Sequence, residues 1–296
     1  MFRLFLLTIA SLSTPSNGIV ASYAARFLMD TPAKQGRFHK QMSHLMKIVT
    51  FNIRCDFGQD DENRFDCRKP LILDAFRREP ADILCFQELL PHTAKWVDEV
   101  LPDHIVLGCG REKDLSGERV AVAFRKSRFE LVKLDTFWLS PTPLVPGSRY
   151  EEQSRCPRTC VDLILHDLEE KRLLRILNTH LDHEGVEARL AGLRQVLSYE
   201  AESVTFPNVP SILTGDFNAQ PDSPELAPLR NNPEWHTPIP QDWETFHNYG
   251  RVKNNTIDYI YLKGALRSTA SGRWTDCKDG VYLSDHYPVW TELQYT

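Results

Sequence analysis

Two short segments near the C-terminus combine an acid with an amide or an imidazole. Residues 214–218, with the sequence TGDFN, follow an apolar run, and residues 284–286, SDH, precede another. Asp216, Asn218 and His286 are therefore expected at strand ends, where folds bring polar groups together in one pocket. Acids and amides supply the oxygen ligands that hard metal ions prefer, and an imidazole can move a proton. The two segments thus predict a polar pocket at one edge of a sheet.

Polar residues also close the other predicted strands. Asn52 ends the first strand and Glu88 the second, while His180 and Asp182 follow a later one. Asn and Asp are common at turns, so each residue alone has an ordinary explanation. Asp258 is the exception, because a carboxylate inside an apolar strand is costly unless it is paired or bound to metal. The repetition of such residues in chain order predicts one site.

The elements that position these residues alternate along the chain. Helical spacing of apolar residues predicts helices over residues 184–204 and over residues 68–78, the latter capped by Asp66, with a further helix after Pro91. Strands are predicted over residues 47–52, 82–87, 105–107, 120–124, 129–134, 161–165, 173–179, 211–214, 257–262, 265–274 and 289–293. Many strands, few helices and no obvious linker predict one α/β domain over residues 46–296.

Composition narrows the possible ligands. The chain has 296 residues, of which 42% are hydrophobic and 25% charged, as in ordinary soluble globular proteins. A formal net charge of -5 provides no general attraction to polyanions. A phosphate-bearing ligand would therefore need a divalent cation or a few well-placed basic side chains. The odd number of cysteines, 7, argues against a full disulfide framework.

Residues 1–45 are predicted to be a leader outside this domain. Arg3 precedes an apolar stretch over residues 4–12 that is followed by small residues, which is typical of a signal peptide and too short to span a membrane. The basic region is thin and no clean cleavage site follows, so a non-structural extension is the competing interpretation. A cytoplasmic location is preferred, and secretion is expected if residues 1–25 are a signal peptide.

In chain order, the polar residues resemble the motifs of the endonuclease/exonuclease/phosphatase superfamily, which has the deoxyribonuclease I-like fold. The matching residues are Asn52, Gln87-Glu88 and the segments 178–181 (NTHL), 215–218 (GDFN), 257–259 (IDY) and 284–286 (SDH). The resemblance covers residues 47–295, and the segments 179–183 (THLDH) and 187–189 (EAR) are similar to a compact, largely bacterial branch. It implies a four-layer αββα sandwich of the α/β (α+β) class, with two packed mixed β-sheets flanked by helices.

The resemblance also implies Mg²⁺-dependent hydrolysis of a phosphoester, with Mn²⁺ as a possible substitute. His286 matches the catalytic imidazole and Asp258 the carboxylate that orients it. Asp216 matches the acid that positions or deprotonates the attacking water, and His180 the histidine that donates a hydrogen bond to phosphate. An Asp partner fixes the tautomer of an imidazole and favours its charged form. Whether His286 acts as a general base or stabilises the transition state stays open at this point.

The remaining predicted site residues hold the metal or the phosphate. Glu88 is the first expected metal ligand, with Asp285 and Asn52 beside it, because hard cations take oxygen ligands. Substrate and phosphate contacts are expected from Asn218, Asn52, Arg158 and Asp182. For Arg158, an ordinary cation in a surface loop is an equally good interpretation. Glu118 is a further candidate for the same pocket.

Three functions follow from these patterns. The first is a Mg²⁺-dependent phosphodiesterase or nuclease, and the second is a phosphomonoesterase or a lipid-headgroup phosphodiesterase. The third, a non-catalytic binding protein on the same fold, is disfavoured because Glu88, Asp216, Asp258 and His286 are all present. The expected partner is a phosphate ester: a nucleic acid, a nucleotide or a phospholipid headgroup. A monomer without a transmembrane segment is expected.

Overall fold

The computed structural model describes residues 44–296. The predicted leader lies, up to residue 43, outside the described residues, and its nature stays a prediction. Within the described range, none of the helices has the length and the apolar character needed to cross a membrane.

Fourteen strands and four α-helices make up the described part of the chain. In chain order they are β1 (Met46–Asn52), α1 (Phe65–Arg78), β2 (Ile83–Leu89), α2 (Pro91–Val100), β3 (His104–Leu107), β4 (Arg119–Arg125), β5 (Phe129–Trp138), β6 (Thr159–Asp167), β7 (Arg172–His180), α3 (Val186–Ala201), β8 (Ser211–Asp216), α4 (Ala227–Arg230), β9 (Trp235–His236), β10 (Asp258–Lys263), β11 (Leu266–Arg273), β12 (Cys277–Lys278), β13 (Val281–Tyr282) and β14 (Val289–Tyr295). Short 3₁₀ helices span Asp61–Asn63 and Pro224–Leu226.

Twelve of these strands form two six-stranded sheets. The strand order is β11-β14-β1-β2-β4-β3 in the first sheet and β5-β6-β7-β8-β10-β9 in the second. Each sheet is mixed, because β1 runs parallel to β2, and β7 to β8, while the other neighbours are antiparallel. The strands β12 and β13 pair separately.

Alternation of side chains along the strands produces the four layers. In β1, Ile48 belongs to the core between the two sheets, whereas Val49 and Phe51 pack against residues of α1 and α2 on the outer face. In the second sheet, Leu177 and Leu213 pack against α3 in the same way. Strands buried on both faces read as continuous apolar runs, which is why they were recognisable in the sequence. The predicted αββα sandwich is confirmed.

Several element boundaries differ from the prediction. Helix α1 begins at Phe65, and Asp66 lies within its first turn, where it forms an ion pair with Lys69 at 2.6 Å instead of capping the helix. The predicted cap is therefore wrong, although an acid in the first turn still suits the helix dipole. Helix α3 is shorter than predicted, because it starts after Gly185. The strands β9, β12 and β13 were missed, since each has only two residues.

A buried polar network joins the two sheets near the ends of β2 and β7. The Asn178 amide is fully buried and donates to the carbonyls of Phe86 and Ala121, both at 2.9 Å. Its oxygen accepts an N–H from Gln87 at 2.8 Å. The network fixes the register of β2 against the second sheet, and therefore the position of the residues that follow it.

We expect Asn178→Ala to lower the free energy of unfolding by roughly 1–3 kcal/mol, because two buried carbonyls and one amide lose their partners. Urea denaturation measures this change. Asn231→Ala, an exposed position, is the matched control and should change stability by less than about 0.5 kcal/mol. Equal effects at the two positions would show that the network contributes nothing to stability.

Candidate active site

Four strands deliver polar residues to the same end of the sandwich. Asn52 ends β1 and Glu88 lies one residue before the end of β2, its parallel neighbour. His180 ends β7 and Asp216 ends β8, which are parallel neighbours in the other sheet. Ligand sites form where parallel strands end together. Here the strand ends border a cleft of about 630 Å³.

An irregularity in β2 turns Glu88 toward this cleft. The pairing of β2 with β4 shifts register between Phe86 and Leu89, and Glu88 has a φ of 61°. A β-bulge of this kind re-aims one side chain, and a positive φ is uncommon for a residue other than glycine. The Glu88 carboxylate accepts the Cys55 N–H at 2.8 Å. As a result, Gln87 stays in the core while Glu88 lines the cleft.

Asn52 links the two sheets by bridging two carboxylates. Its amide nitrogen donates to Glu88 Oε1 at 2.9 Å and to Asp216 Oδ2 at 3.0 Å, and its oxygen accepts the Arg54 N–H at 3.0 Å. Burial by itself would raise the pKa of Glu88, but the Asn52 amide and the Cys55 N–H, which donate to the carboxylate, favour its charged form, and the pKa is lowered. Glu88 is therefore ionised at neutral pH, as a metal ligand must be.

His286 and Asp258 form a buried hydrogen-bonded pair. His286 Nδ1 lies 2.8 Å from Asp258 Oδ2, and both residues are at most 5% exposed. The Thr245 hydroxyl accepts the Asp258 N–H at 3.0 Å, and the Phe246 ring lies 4.9 Å from the imidazole. Burial opposes the charged imidazole, but the negative charges of Asp258 and Asp216 raise the pKa of His286 to about 10. The second ring nitrogen, Nε2, lines the cleft as a donor.

Asp216 stands between two imidazoles. Its Oδ2 lies 3.5 Å from His180 Nε2 and 3.7 Å from His286 Nε2, and its Oδ1 accepts the Asn218 N–H at 2.9 Å. Burial, with the charge of Asp258, raises the pKa of Asp216 to about 7. A carboxylate with such a pKa can exchange a proton near neutral pH.

Glycine is required immediately before Asp216. Gly215 has a φ of 146°, and a Cβ at this position would lie 1.9 Å from the Thr179 carbonyl oxygen. Any side chain would therefore push β8 away from β7. The glycine allows the two strands to pair up to their last residues, which brings Asp216 beside His180.

His180 and Arg158 lie together on one wall of the cleft. Burial, followed by the charge of Arg158, lowers the pKa of His180 well below its ordinary value, so this imidazole is neutral. Arg158 is only 4% exposed, and its Nη2 lies 2.9 Å from His183 Nδ1. Its Nε and Nη1 atoms have no hydrogen-bond partner within the described residues. A buried guanidinium with free N–H groups is suited to receive a phosphoryl oxygen.

Asp182 is not brought to the cleft. Its carboxylate accepts the backbone N–H groups of Ser154, Glu184 and Gly185 at 3.1, 3.1 and 2.8 Å, and the Ser154 hydroxyl as well. It also lies 3.7 Å from Arg158 Nε. This arrangement holds the loop before α3 and the Arg158 side chain in place. The predicted direct contact of Asp182 with substrate stays a prediction.

Two arginines of the cleft were not predicted. Arg54 lies 3.5 Å from Asp285 and 3.0 Å from Asp60. Arg111 pairs with Glu118 through both of its terminal nitrogens, at 2.8 and 3.0 Å. Arg54 follows Asn52 by two residues and could have been found from that position. No motif marks Arg111, which reaches the cleft through a hairpin loop closed by its backbone bond to residue 118.

Two groups of side chains are able to hold a cation. Ligand atoms of Asp216, Asp258 and His286 all lie within 4.8 Å of one another, but two of these residues already bond each other. The other group is Glu88 with Asp285: burial raises the pKa of Asp285, and the nearby charge of Glu88 raises it further. A bound divalent cation would relieve this repulsion, and the oxygen donors of the two carboxylates are of the kind that suits Mg²⁺. That Glu88 and Asp285 hold the metal stays a prediction.

Comparisons of sequence place this arrangement among known proteins. The model for the Endonuclease/Exonuclease/phosphatase family matches residues 49–286. Human 2',5'-phosphodiesterase 12 is 23% identical over 278 residues, which cover 81% of this chain and 45% of that protein. The chain thus spans less than half the length of this relative.

Solved bacterial structures share the whole fold. The endonuclease/exonuclease/phosphatase from Bacteroides vulgatus is similar with a TM-score of 0.79 and 25% identity, covering 86% of this chain and 100% of that one. A mannosyl-6-phosphatase from Bacteroides thetaiotaomicron is similar with a TM-score of 0.76 and 26% identity, covering 84% and 100%. The family match spans residues 49–286, which is most of the described domain. The chain therefore belongs to the endonuclease/exonuclease/phosphatase family.

Proposed function

We propose that this protein hydrolyses a phosphoester in a reaction that requires a divalent cation, with Mg²⁺ as the working ion and Mn²⁺ as a substitute. One observation carries the proposal: the His286–Asp258 pair faces Asp216 in a cleft that also holds the Asn52–Glu88 pair. Proton-transfer groups and hard oxygen ligands in one cleft suit attack of water on phosphorus. The family consists of phosphoester hydrolases, which agrees with this chemistry.

Asp216 and His286 have different roles at the reacting centre: Asp216 acts on the attacking water, and His286 acts on a phosphoryl oxygen. Asp216, with its raised pKa of about 7, orients the attacking water and accepts its proton. His286 is kept protonated by Asp258 and donates from Nε2 to a phosphoryl oxygen, where negative charge builds up in the transition state. Of the two roles considered for His286, its raised pKa favours charge stabilisation over general base.

Neutral and cationic donors bind the phosphoryl group. His180 donates from a neutral imidazole, and the Asn218 amide, which also donates to the Leu181 carbonyl at 3.1 Å, lies beside it in the cleft. Arg158 adds a positive charge on the same wall. Glu88, with Asp285 and Asn52, would hold the cation. When bound, the cation withdraws charge from the phosphoryl oxygens.

The class of ester has two candidates. The similarity to human 2',5'-phosphodiesterase 12 supports a phosphodiesterase or nuclease. The similarity to a mannosyl-6-phosphatase supports a phosphomonoesterase.

The charges of the cleft favour a small phosphate ester over a polyanion. The charged lining residues are the arginines Arg54, Arg111 and Arg158 and the carboxylates Glu88, Glu118, Asp216 and Asp285. The positive charge of His286 is balanced by its partner Asp258, so three positive and four negative charges leave a net charge of -1, which one divalent cation changes to +1. A polyanion such as a nucleic acid would require additional basic residues.

Hydrolysis of p-nitrophenyl phosphate and bis(p-nitrophenyl) phosphate, measured with Mg²⁺ or with EDTA, tests the proposal. Single-stranded DNA, RNA and phosphoinositides complete the substrate panel. We expect turnover with Mg²⁺, its loss in EDTA and its recovery when Mg²⁺ is added back. Turnover that persists in EDTA would contradict the metal requirement, and a faster diester would favour the first candidate.

A further inference from the structure

One part of the cleft lining is uncharged and consists of amide and apolar side chains. Its residues are Gln220, Phe246, Asn248, Asn255 and Ile257, which we call the amide wall. They come from the loop that follows β8, which also carries Asn218, and from the loop that leads to Asp258 at the start of β10. The mechanism proposed above uses none of these five side chains.

The side-chain amide of Asn248 has no hydrogen-bond partner among the described residues, and the backbone of this residue has an uncommon conformation. Its φ is 44°, the left-handed region, and the next residue, Tyr249, has a φ of 55°. Two consecutive positive φ values in residues other than glycine are costly, and strain of this kind concentrates at functional sites. The Asn248 N–H donates to the Asp285 carbonyl at 3.0 Å, which ties the residue to the site, while its side chain makes no hydrogen bond within residues 44–296.

Asn255 supplies a second set of free donors. Its Oδ1 accepts an N–H from Gln220 at 2.6 Å, whereas its own amide nitrogen makes no hydrogen bond to any described residue. The bond to Gln220 fixes the orientation of the Asn255 amide. Its backbone carbonyl also accepts the N–H groups of Thr245 and Phe246 at 2.8 and 3.0 Å. The amide wall therefore has one amide held by a hydrogen bond, Asn255, and one whose donors and acceptors are all unused within the described part of the chain, Asn248, and both follow Phe246 in the chain.

A side-chain amide has both donors and acceptors, so it can bind the neutral hydroxyl groups of a ligand. An apolar ring such as that of Phe246 can pack against the C–H groups of the same ligand. Of the three arginines that line the cleft, Arg54 and Arg111 are already paired with carboxylates, so Arg158 and the cation serve one phosphoryl group and no second anion. The substrate should therefore carry one phosphate on an uncharged organic part that is rich in hydroxyls.

We infer that Asn248 and Asn255 bind the hydroxyl groups of the substrate's organic part, beside Phe246, and that the preferred substrates are phosphate esters of a sugar or polyol. This inference rests on the proposed phosphoester hydrolysis and names the substrate class of the same site. A nucleobase, which amides can also read, is the alternative occupant of the amide wall.

The test compares glucose 6-phosphate with p-nitrophenyl phosphate, which has no hydroxyl on its ring. Asn248→Gly removes the amide but keeps the left-handed backbone and the N–H to Asp285. We expect the ratio of kcat/KM for glucose 6-phosphate to that for p-nitrophenyl phosphate to fall about tenfold, which corresponds to the loss of one hydrogen bond. Asn254→Gly is the matched control, because Asn254 also has a positive φ, 55°, and is exposed. Its ratio should equal that of the wild type.

Asn255→Asp is a second variant, since it keeps the acceptor for Gln220 and replaces the free donors by a carboxylate oxygen. The added negative charge acts on both phosphate esters alike, so the ratio reports the lost donors. This variant should lower the same ratio. An unchanged ratio in both variants, or a loss seen with AMP and not with glucose 6-phosphate, would overturn the inference.

Binding of glucose 6-phosphate and of phenyl phosphate to His286→Ala, measured by calorimetry with Mg²⁺, tests the inference independently of turnover. The inference is supported if His286→Ala binds glucose 6-phosphate more tightly than phenyl phosphate and if adding Asn248→Gly to this variant removes the difference. Equal binding of the two esters to His286→Ala contradicts the inference. Absence of turnover on every ester would contradict the proposed hydrolysis alone.

Discussion

Replacing His286 with alanine is expected to lower kcat by about 10²–10⁴-fold with any phosphoester substrate. The imidazole is held by Asp258 at 2.8 Å, and its Nε2 lies 3.7 Å from Asp216, so alanine removes the proposed proton donor to the phosphoryl group. Because His286 is proposed to stabilise charge that develops on the phosphoryl oxygens in the transition state, kcat should fall much more than KM changes. Initial rates at saturating Mg²⁺ provide the measurement.

The loss of rate in His286→Ala must be distinguished from a loss of stability. His286→Ala leaves the Asp258 carboxylate buried without its partner, and breaking a buried pair costs roughly 3–5 kcal/mol. The double variant His286→Ala/Asp258→Asn removes the stranded charge, so it should be more stable than the single variant and equally inactive. His236→Ala, at an exposed position, is the control with unchanged rate. Retained turnover in a folded His286→Ala protein would remove His286 from the mechanism.

The positions of some site residues could be predicted from the sequence because these polar residues stand next to apolar runs that form buried strands. Asp216, His180 and Asp258 follow or begin apolar runs, and the pairing of β7, β8 and β10 aligns those strand ends, with Asp258 opposite Asp216. A buried strand limits where a polar residue can point, so its position at a strand end already places it near the pocket. The roles assigned to these residues remain predictions.

Other parts depend on contacts that no local pattern encodes. The bulge that turns Glu88 outward arises from the register of β2 against β4, and Arg111 reaches the cleft through a hairpin. The hydrogen bonds that occupy Asp182 come mostly from backbone groups, which no residue type announces. The amides Asn248 and Asn255 stand in a loop between β9 and β10 that has no strand or helix to reveal its direction. Such features follow from the assembled sheets and could not be read from spacing.

Replacing Glu88 with glutamine is expected to weaken Mg²⁺ binding by at least about 100-fold, because even the loss of a group that only supports a metal ligand costs about 10–100-fold. Glutamine keeps the size of the side chain but removes the negative charge that faces the site beside Asp285. Hydrolysis at low Mg²⁺ should nearly cease and should recover in part as the Mg²⁺ concentration is raised. Calorimetric titration with Mg²⁺, or with Mn²⁺ observed by electron paramagnetic resonance, measures the affinity without relying on turnover.

Two further variants decide which acidic group holds the ion. Glu99→Gln, on the exposed side of α2, repeats the chemical change away from the cleft and should leave the affinity unchanged. Asp258→Asn tests the alternative cluster of Asp216, Asp258 and His286. If the ion sits at Glu88, this variant abolishes turnover through His286 but changes the affinity for Mg²⁺ less than about threefold, a difference of roughly 0.6 kcal/mol. The opposite pattern, with affinity lost in Asp258→Asn and kept in Glu88→Gln, would move the metal to the histidine cluster and leave Glu88 with a structural role at the bulge.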